Sequence, residues 1–323
     1  MAATRVGIIG SGWVVGVHMR VLAGFDDVRV VGIAARNAEA GRRLAEPAGA
    51  RHYADYRAML DEAELDAVYV CLPPYAAFEP AMAVVDRGIP MFAEKPLGVD
   101  EAGPERIAKV IAASDLVSAV GYQWRYLEIA DRARDLLAAH PAQLVIGSWL
   151  GDTPGAPWWI HREQSGGQIV EQATHIFDLA RLLVGEMEPV AATGRRVPRA
   201  AYPESDILDV TETSVRFASG AIGSFATTSL LPGPHHVGLE TVSDGMAMTL
   251  EVLDHRLVVR RGGETMTLAP ASTFDTPYKL ANRAFIDAVQ GKPNRIRSTY
   301  ADALLTHYAT LAATRLAEGS AAS

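Results

Sequence analysis

The feature that most narrows the fold is a rhythm in the first 121 residues. Short β-branched runs, "RVGIIG", "VRVVGIA", "DAVYVCL", "IPMFA" and "LVSAVGY", alternate there with stretches rich in Ala, Arg, Glu and Leu. Strands separated by helical lengths pair in parallel, and a parallel sheet needs helices over it. From about residue 142 the rhythm changes. One long helix pattern near 168–184 gives way to alternating runs such as "DVTETSVRFA", "AIGSFATTSL", "GLETVSD", "MAMTLEVL", "RLVVRRG" and "TMTLA", joined by short Gly or Asp turns. These predict an antiparallel or mixed sheet with one face covered. Helix patterns near 278–290 and 299–317 close the chain, and the "EGSAAS" tail reads as frayed. The boundary falls at "GYQWRY", which predicts one domain over 1–121 and a second over 122–323.

A length of 323 residues suits about two domains with sizeable cores. The composition, 49% hydrophobic and 21% charged, is that of a globular chain, and no apolar run approaches the roughly 20 residues that cross a bilayer. The start "MAATRVGIIG" lacks the basic stretch, long apolar run and cleavage site of an export signal. Cys71 is the only cysteine, which rules out an intrachain disulfide and a multi-cysteine zinc site and fits a reducing compartment. A cytoplasmic protein is expected. The net charge of −8 offers no basic footprint for nucleic acid or an anionic membrane, so a small-molecule partner is expected. His161, His175, His235 and His236 form no zinc ligand set, and no metal is expected.

"VGIIGSGWVVGVH" puts Gly10 and Gly12 between the first strand and the first helix. Two residues without side chains let backbone approach a pyrophosphate, and a helix N-terminus offers N–H groups and a favourable dipole. Ser11, Trp13 and Val14 belong to the same turn. The third glycine of G-x-G-x-x-G would fall at Val15, and the next glycine is Gly16; looser helix–strand packing or a one-residue adjustment is expected. The second strand ends in Ala34, Ala35, Arg36 and Asn37, where a carboxylate would receive the ribose of NAD. With no carboxylate there and a guanidinium able to grip a 2′-phosphate, NADP is preferred over NAD, with NAD possible. Leu72, Pro73 and Pro74 end a further core strand and force the chain off the sheet at its carboxyl edge, where open α/β sheets bind ligands.

Four motifs, "GIIGSG…H" at 7–18, "EKPLG" at 94–98, "GYQWRY" at 121–126 and "SGGQIVEQATHIFDLARLLVGE" at 165–186, in this order resemble the glucose–fructose oxidoreductase and inositol dehydrogenase family, Gfo/Idh/MocA. The resemblance implies a Rossmann domain, a C-terminal α+β domain with a large, open and mainly antiparallel sheet, and pyridine-nucleotide oxidation or reduction of sugars, cyclitols or related alcohols. It also implies that Lys95 lies in the active site; an ammonium there polarises a carbonyl or favours an alkoxide. Read locally, Lys95 is only a lysine at a strand end. Glu94 then orients the loop or the lysine, and Pro96 fixes the backbone and is a candidate for a cis bond.

Glu171 and His175 stand four apart, neighbours on one face of a helix. The family carries aspartate and histidine at this separation, and glutamate replaces the aspartate here. His175 is the candidate general acid/base, and Glu171 would orient it or hold a substrate hydroxyl. The residues alone equally allow a helix-start charge and a half-buried histidine. Gln123 and Arg125 are candidate substrate contacts facing the cleft. Trp159 is a candidate sugar platform or a core aromatic. The expected function is NAD(P)-dependent hydride transfer to or from a secondary alcohol or ketone of a sugar, cyclitol or polyol. Alternatives are an NAD-dependent glycosidase and a non-catalytic nucleotide sensor. Family precedent implies a homodimer or homotetramer.

Overall fold

The computed structural model describes residues 3–321. Along the chain come β1 (Thr4–Ile9), α1 (Trp13–Leu22), β2 (Val28–Ala34), α2 (Ala38–Ala45), β3 (Arg51–Tyr53), α3 (Tyr56–Glu62), β4 (Ala67–Val70), α4 (Pro74–Val85), β5 (Met91–Ala93), α5 (Ala102–Ser114) and β6 (Ser118–Val120). Next are α6 (Glu128–Ala139), β7 (Ala142–Leu150), α7 (Arg162–Ser165) and α8 (Thr174–Val184). Strands β8 (Met187–Arg195), β9 (Val210–Phe217), β10 (Ile222–Thr228), β11 (His236–Ser243), β12 (Met246–Glu251), β13 (Arg256–Arg261) and β14 (Glu264–Leu268) follow, then α9 (Asp275–Val289) and α10 (Tyr300–Ala321).

The chain forms two compact units. The first holds the residues up to Gln123 together with Thr273–Leu304; the second holds Trp124–Ser272 and the residues from Leu305 onward. This corrects the expected domain of 122–323: a stretch near the end of the chain, α9 included, belongs to the first unit. The reason is apolar matching. Tyr278, Phe285 and Ile286 on α9 are buried with Val15, Val17, Val21 and Leu22 of α1, Tyr69 of β4 and Phe92 of β5 in one core cluster.

In the first unit six parallel strands run in the order β3-β2-β1-β4-β5-β6, with the sequence reversing direction across the sheet at β1/β4. β4 is buried along its whole length, as a strand covered on both faces must be. Val15, where the third glycine was expected, is fully buried, and a Cβ on Gly16 would have only Arg20 Nη1 nearby, at 4.0 Å. The packing is therefore not looser at this point; a valine side chain fills it.

In the second unit eight strands run in the order β14-β13-β12-β11-β7-β10-β9-β8. All neighbours are antiparallel except β7 and β10. The sequence reading did not single out β7 and β8. Pro189 interrupts the β8 pattern and is tolerated because β8 is an edge strand with a register shift between Pro189 and Ala191. The expected helix over 168–184 is in two parts, a π-helical turn over Ile169–Ala173 and then α8. The expected fray after 317 is also corrected. α10 continues to Ala321, with Ser320 donating to the Ala317 carbonyl and accepting Gly194 N–H; residues 322–323 lie outside the described ones.

Candidate active site

The β1–α1 turn opens a cleft of about 780 Å³ wholly within the first unit. Of the expected cofactor residues, Gly10, Ser11, Gly12, Ala35, Arg36, Leu72 and Pro73 line it; Trp13, Val14, Glu94 and Lys95 do not. Trp13 is 70% exposed, its ring edge-on to Phe274 at 5.8 Å. The two glycines answer different demands. Gly10 has φ +129, and a Cβ there would meet the Cys71 carbonyl oxygen at 2.1 Å, so the fold itself requires glycine. At Gly12 a Cβ would meet nothing in the protein. Gly12 is the N-cap of α1, with no side-chain cap and no acidic residue in the first turn. The N–H groups of a ten-residue helix thus point, uncapped, at the turn that lines the cleft. These features fit a pyrophosphate.

Asn37 also lines the cleft, together with Ala54, Tyr56, Arg57, Ala76, Glu79 and Pro80, which sequence reasoning did not assign to it. Arg57 stacks over the Tyr56 ring at 4.5 Å, and Arg36 and Arg57 are both exposed there. Asn37 caps α2, accepting the Ala40 N–H at 3.1 Å.

Beyond β5, Glu94 and Lys95 leave the same carboxyl edge. Glu94 sits 3.0 Å from His18 Nε2 through Oε1 and accepts the Lys95 backbone N–H at 3.3 Å through Oε2. Lys95 is half-buried, and the Lys95–Pro96 bond is cis. Cys71 is buried beside this region, and its thiol is pushed well up by burial first and by the Glu94 charge second.

In the second unit His175 stands at the start of α8, 7% exposed, against two tryptophans that the sequence reading did not assign. Its ring lies 4.7 Å from that of Trp124 and 6.0 Å from that of Trp149, and the tryptophans stack on each other at 5.7 Å. The signals were present, Trp124 in "GYQWRY" and Trp149 on β7, but only the fold brings them together. Glu171 lies inside the π turn, so the expected four-residue neighbour spacing does not apply to it. Its Oε2 accepts the Trp159 indole N–H at 2.8 Å.

Two expected substrate contacts are corrected. Trp159 is 1% exposed, so it offers no platform; its ring is interior and its N–H anchors Glu171. Arg125 is 4% exposed, and its Nε and Nη2 grip Asp178 Oδ2 and Oδ1 at 2.7 and 2.6 Å. Asp178 Oδ1 also accepts the Thr306 hydroxyl at 2.9 Å, so this guanidinium is part of an internal network. Gln123 is buried in the first unit and donates its amide to Tyr278 Oη at 3.2 Å. Among the described residues, no group of three or more His, Cys, Asp or Glu could hold a metal ion, and no helix is long and apolar enough to cross a membrane.

A parallel sheet with an uncapped glycine turn on its carboxyl edge defines an NAD-binding Rossmann domain of the oxidoreductase type. The chain belongs to the GFO/IDH/MocA family: residues 4–122 match its oxidoreductase NAD-binding Rossmann domain and residues 142–251 its C-terminal domain. It is 26% identical over 225 residues to the myo-inositol 2-dehydrogenase of Thermotoga maritima, covering 68% of this chain and just under two thirds, 66%, of that protein. It is 26% identical over 267 residues to the levoglucosan dehydrogenase of Pseudarthrobacter phenanthrenivorans, covering 71% and 68%. Among solved structures, a levoglucosan dehydrogenase in complex with NADH matches with a TM-score of 0.88 at 21% identity, covering 99% of this chain and 98% of that one. That last likeness is one of fold.

Proposed function

We propose that the protein is an NAD(P)-dependent dehydrogenase or reductase acting on a secondary alcohol or ketone of a sugar, cyclitol or related polyol. The observation that carries this reading is the uncapped α1 N-terminus at Gly12, opening on a cleft in the same sheet edge that ends in Lys95. Gly10, Ser11 and Gly12 would hold the pyrophosphate, Arg36 the adenosine ribose side, and Leu72 and Pro73 the nicotinamide half. Bound there, the nicotinamide supplies the hydride acceptor or donor. Lys95 places a positive charge beside the reacting oxygen and so favours its alkoxide form. His175 takes the hydroxyl proton or returns it. The tryptophan contacts of His175 hold the imidazole plane, and Glu171, anchored by Trp159, orients a substrate hydroxyl. The named activities of the inositol and levoglucosan dehydrogenases support this substrate class.

The reading extends to NADP(H) over NAD(H), because Arg36 and Arg57 line the cleft and β2 ends without a carboxylate. It also extends to a cytoplasmic homo-oligomer. Ile222, Leu144 and Val242 are register partners that form an apolar row across three strands of the second sheet, and Ile222 is 58% exposed. A second copy of the chain is the occupant that would bury this row. The deciding experiment follows reduced-nicotinamide absorbance across sugars, cyclitols and their keto forms, with both nucleotides in parallel. Turnover of one of these substrates is expected, and failure to bind either nucleotide would overturn the reading.

A further inference from the structure

His18 is fully buried on α1, yet both nitrogens of its ring are engaged. Nδ1 lies 3.1 Å from Asn282 Oδ1, and Nε2 lies 3.0 Å from Glu94 Oε1. The outer partners assign the protons. Asn282 donates its amide nitrogen to the Tyr278 carbonyl at 2.7 Å, so it presents its oxygen to His18, and Nδ1 must carry a proton. On the other side Glu94 already accepts the Lys95 N–H, which favours the ionised carboxylate. A bare Nε2 facing that carboxylate would set lone pair against lone pair, so the second contact also needs a proton.

The surroundings hold the pair in place. The His18 ring packs against Tyr69 of β4 at 5.1 Å, Phe92 of β5 at 5.2 Å and Tyr278 of α9 at 6.0 Å. A Cβ on Gly121, just past β6, would come within 2.5 Å of Glu94 Oε1, so the carboxylate is seated in space that only glycine leaves. The titratable groups facing the pair are Tyr69, Cys71 and Tyr278, with Asp275 bearing on Tyr278 and Lys95 next to Glu94 in the chain. Burial pushes both phenols and the thiol upward, so none of the three gives up a proton to the pair near neutrality.

We infer that His18, doubly protonated between Asn282 and Glu94, is a positioning residue that fixes the strand-end turn carrying Lys95. The chain of contacts runs from α9 through Asn282, His18 and Glu94 to the Lys95 backbone, joining elements 264 and 76 residues apart in sequence. This rests on the reading of Lys95 as the group that polarises the reacting oxygen.

Three variants separate position from charge. Glu94→Gln can donate its amide to a neutral imidazole Nε2 and still accept the Lys95 N–H, which keeps the connections without the ion pair. His18→Leu strands the carboxylate against an apolar side chain, and the double variant His18→Leu/Glu94→Gln removes that stranded charge. The expected losses in kcat are about 100-fold for His18→Leu and about fivefold for Glu94→Gln, with the nucleotide KM of both within about twofold of the parent. The double variant should recover about tenfold over His18→Leu. Additive losses, or Glu94→Gln as damaging as His18→Leu, would overturn the inference. Independently of turnover, nitrogen NMR of the labelled protein should show His18 with two protonated ring nitrogens in the parent and one bare nitrogen in Glu94→Gln. A bare Nε2 in the parent protein would also overturn it. Should Lys95→Ala turn over at full rate, the reading of Lys95 falls, and the spectrum alone then decides the proton assignment.

Discussion

Trp159 donates its indole N–H to Glu171 Oε2 at 2.8 Å, and Glu171 stands in the π-helical turn that leads into the helix of His175. The tryptophan thus sets the direction of the carboxylate from inside the second unit. Trp159→Phe keeps most of the ring and removes the donor; it should cost about 1 kcal/mol of stability, whereas Trp159→Ala, which also opens a cavity, should cost about 3–5 kcal/mol. Urea denaturation of the three proteins checks the ratio.

Asp178 receives two charge-assisted bonds from Arg125 with both groups nearly excluded from solvent. Removing one partner leaves a buried charge uncompensated, so Arg125→Met or Asp178→Leu should each cost about 3–5 kcal/mol. The double replacement should recover most of that loss. A double replacement no better than either single one would show that the pair is held by something other than mutual compensation.

The two glycines of the first turn should fail differently. Gly10→Ala drives a Cβ into the Cys71 carbonyl and should lower the melting temperature whether or not nucleotide is present. At Gly12 an added Cβ would have no protein atom within 4 Å, so Gly12→Ala should leave the apo melting temperature nearly unchanged, while nucleotide affinity falls about tenfold or more. Calorimetry with and without nucleotide separates the two.

Arg36→Ala should weaken NADP(H) binding about tenfold and leave NAD(H) within about twofold, because only the 2′-phosphate loses a charged partner. Equal loss for both nucleotides would place Arg36 elsewhere on the cofactor.

Asp27 is held down to about 2, chiefly by its hydrogen bond from Arg283 on α9 and further by Gln290. A carboxylate depressed in the folded state contributes stability above its ordinary value of 3.8, and this contribution is lost as pH falls toward 2. The pair is partly exposed, so the contribution should stay below about 1 kcal/mol. The stability gap between the parent and Asp27→Asn should be constant from about pH 5 to 7 and close between about pH 4 and 2.

The parts legible in the sequence were those with local causes. Strand and helix periods, the glycines of the β1–α1 turn and the prolines that end a strand all act within a few residues. His18 was visible only as a member of a motif, because its partners Glu94 and Asn282 lie on other elements. The Trp124–His175–Trp149 stack was hidden for the same reason. Arg125 was misread because a guanidinium after a strand looks the same whether it meets a ligand or Asp178, and only burial separates the two. The π turn left no mark in a hydrophobic pattern that suits a continuous helix equally well.

The return of Thr273–Leu304 to the first unit bears on how the chain matures on the ribosome. Although its six strands are translated first, the nucleotide domain lacks Tyr278, Phe285 and Ile286 from its core, and Asn282 from His18, until the whole second sheet has been made. A fragment cut after Gln123 would therefore present an unfinished apolar surface along α1, and the newborn domain would keep that surface exposed until α9 emerges.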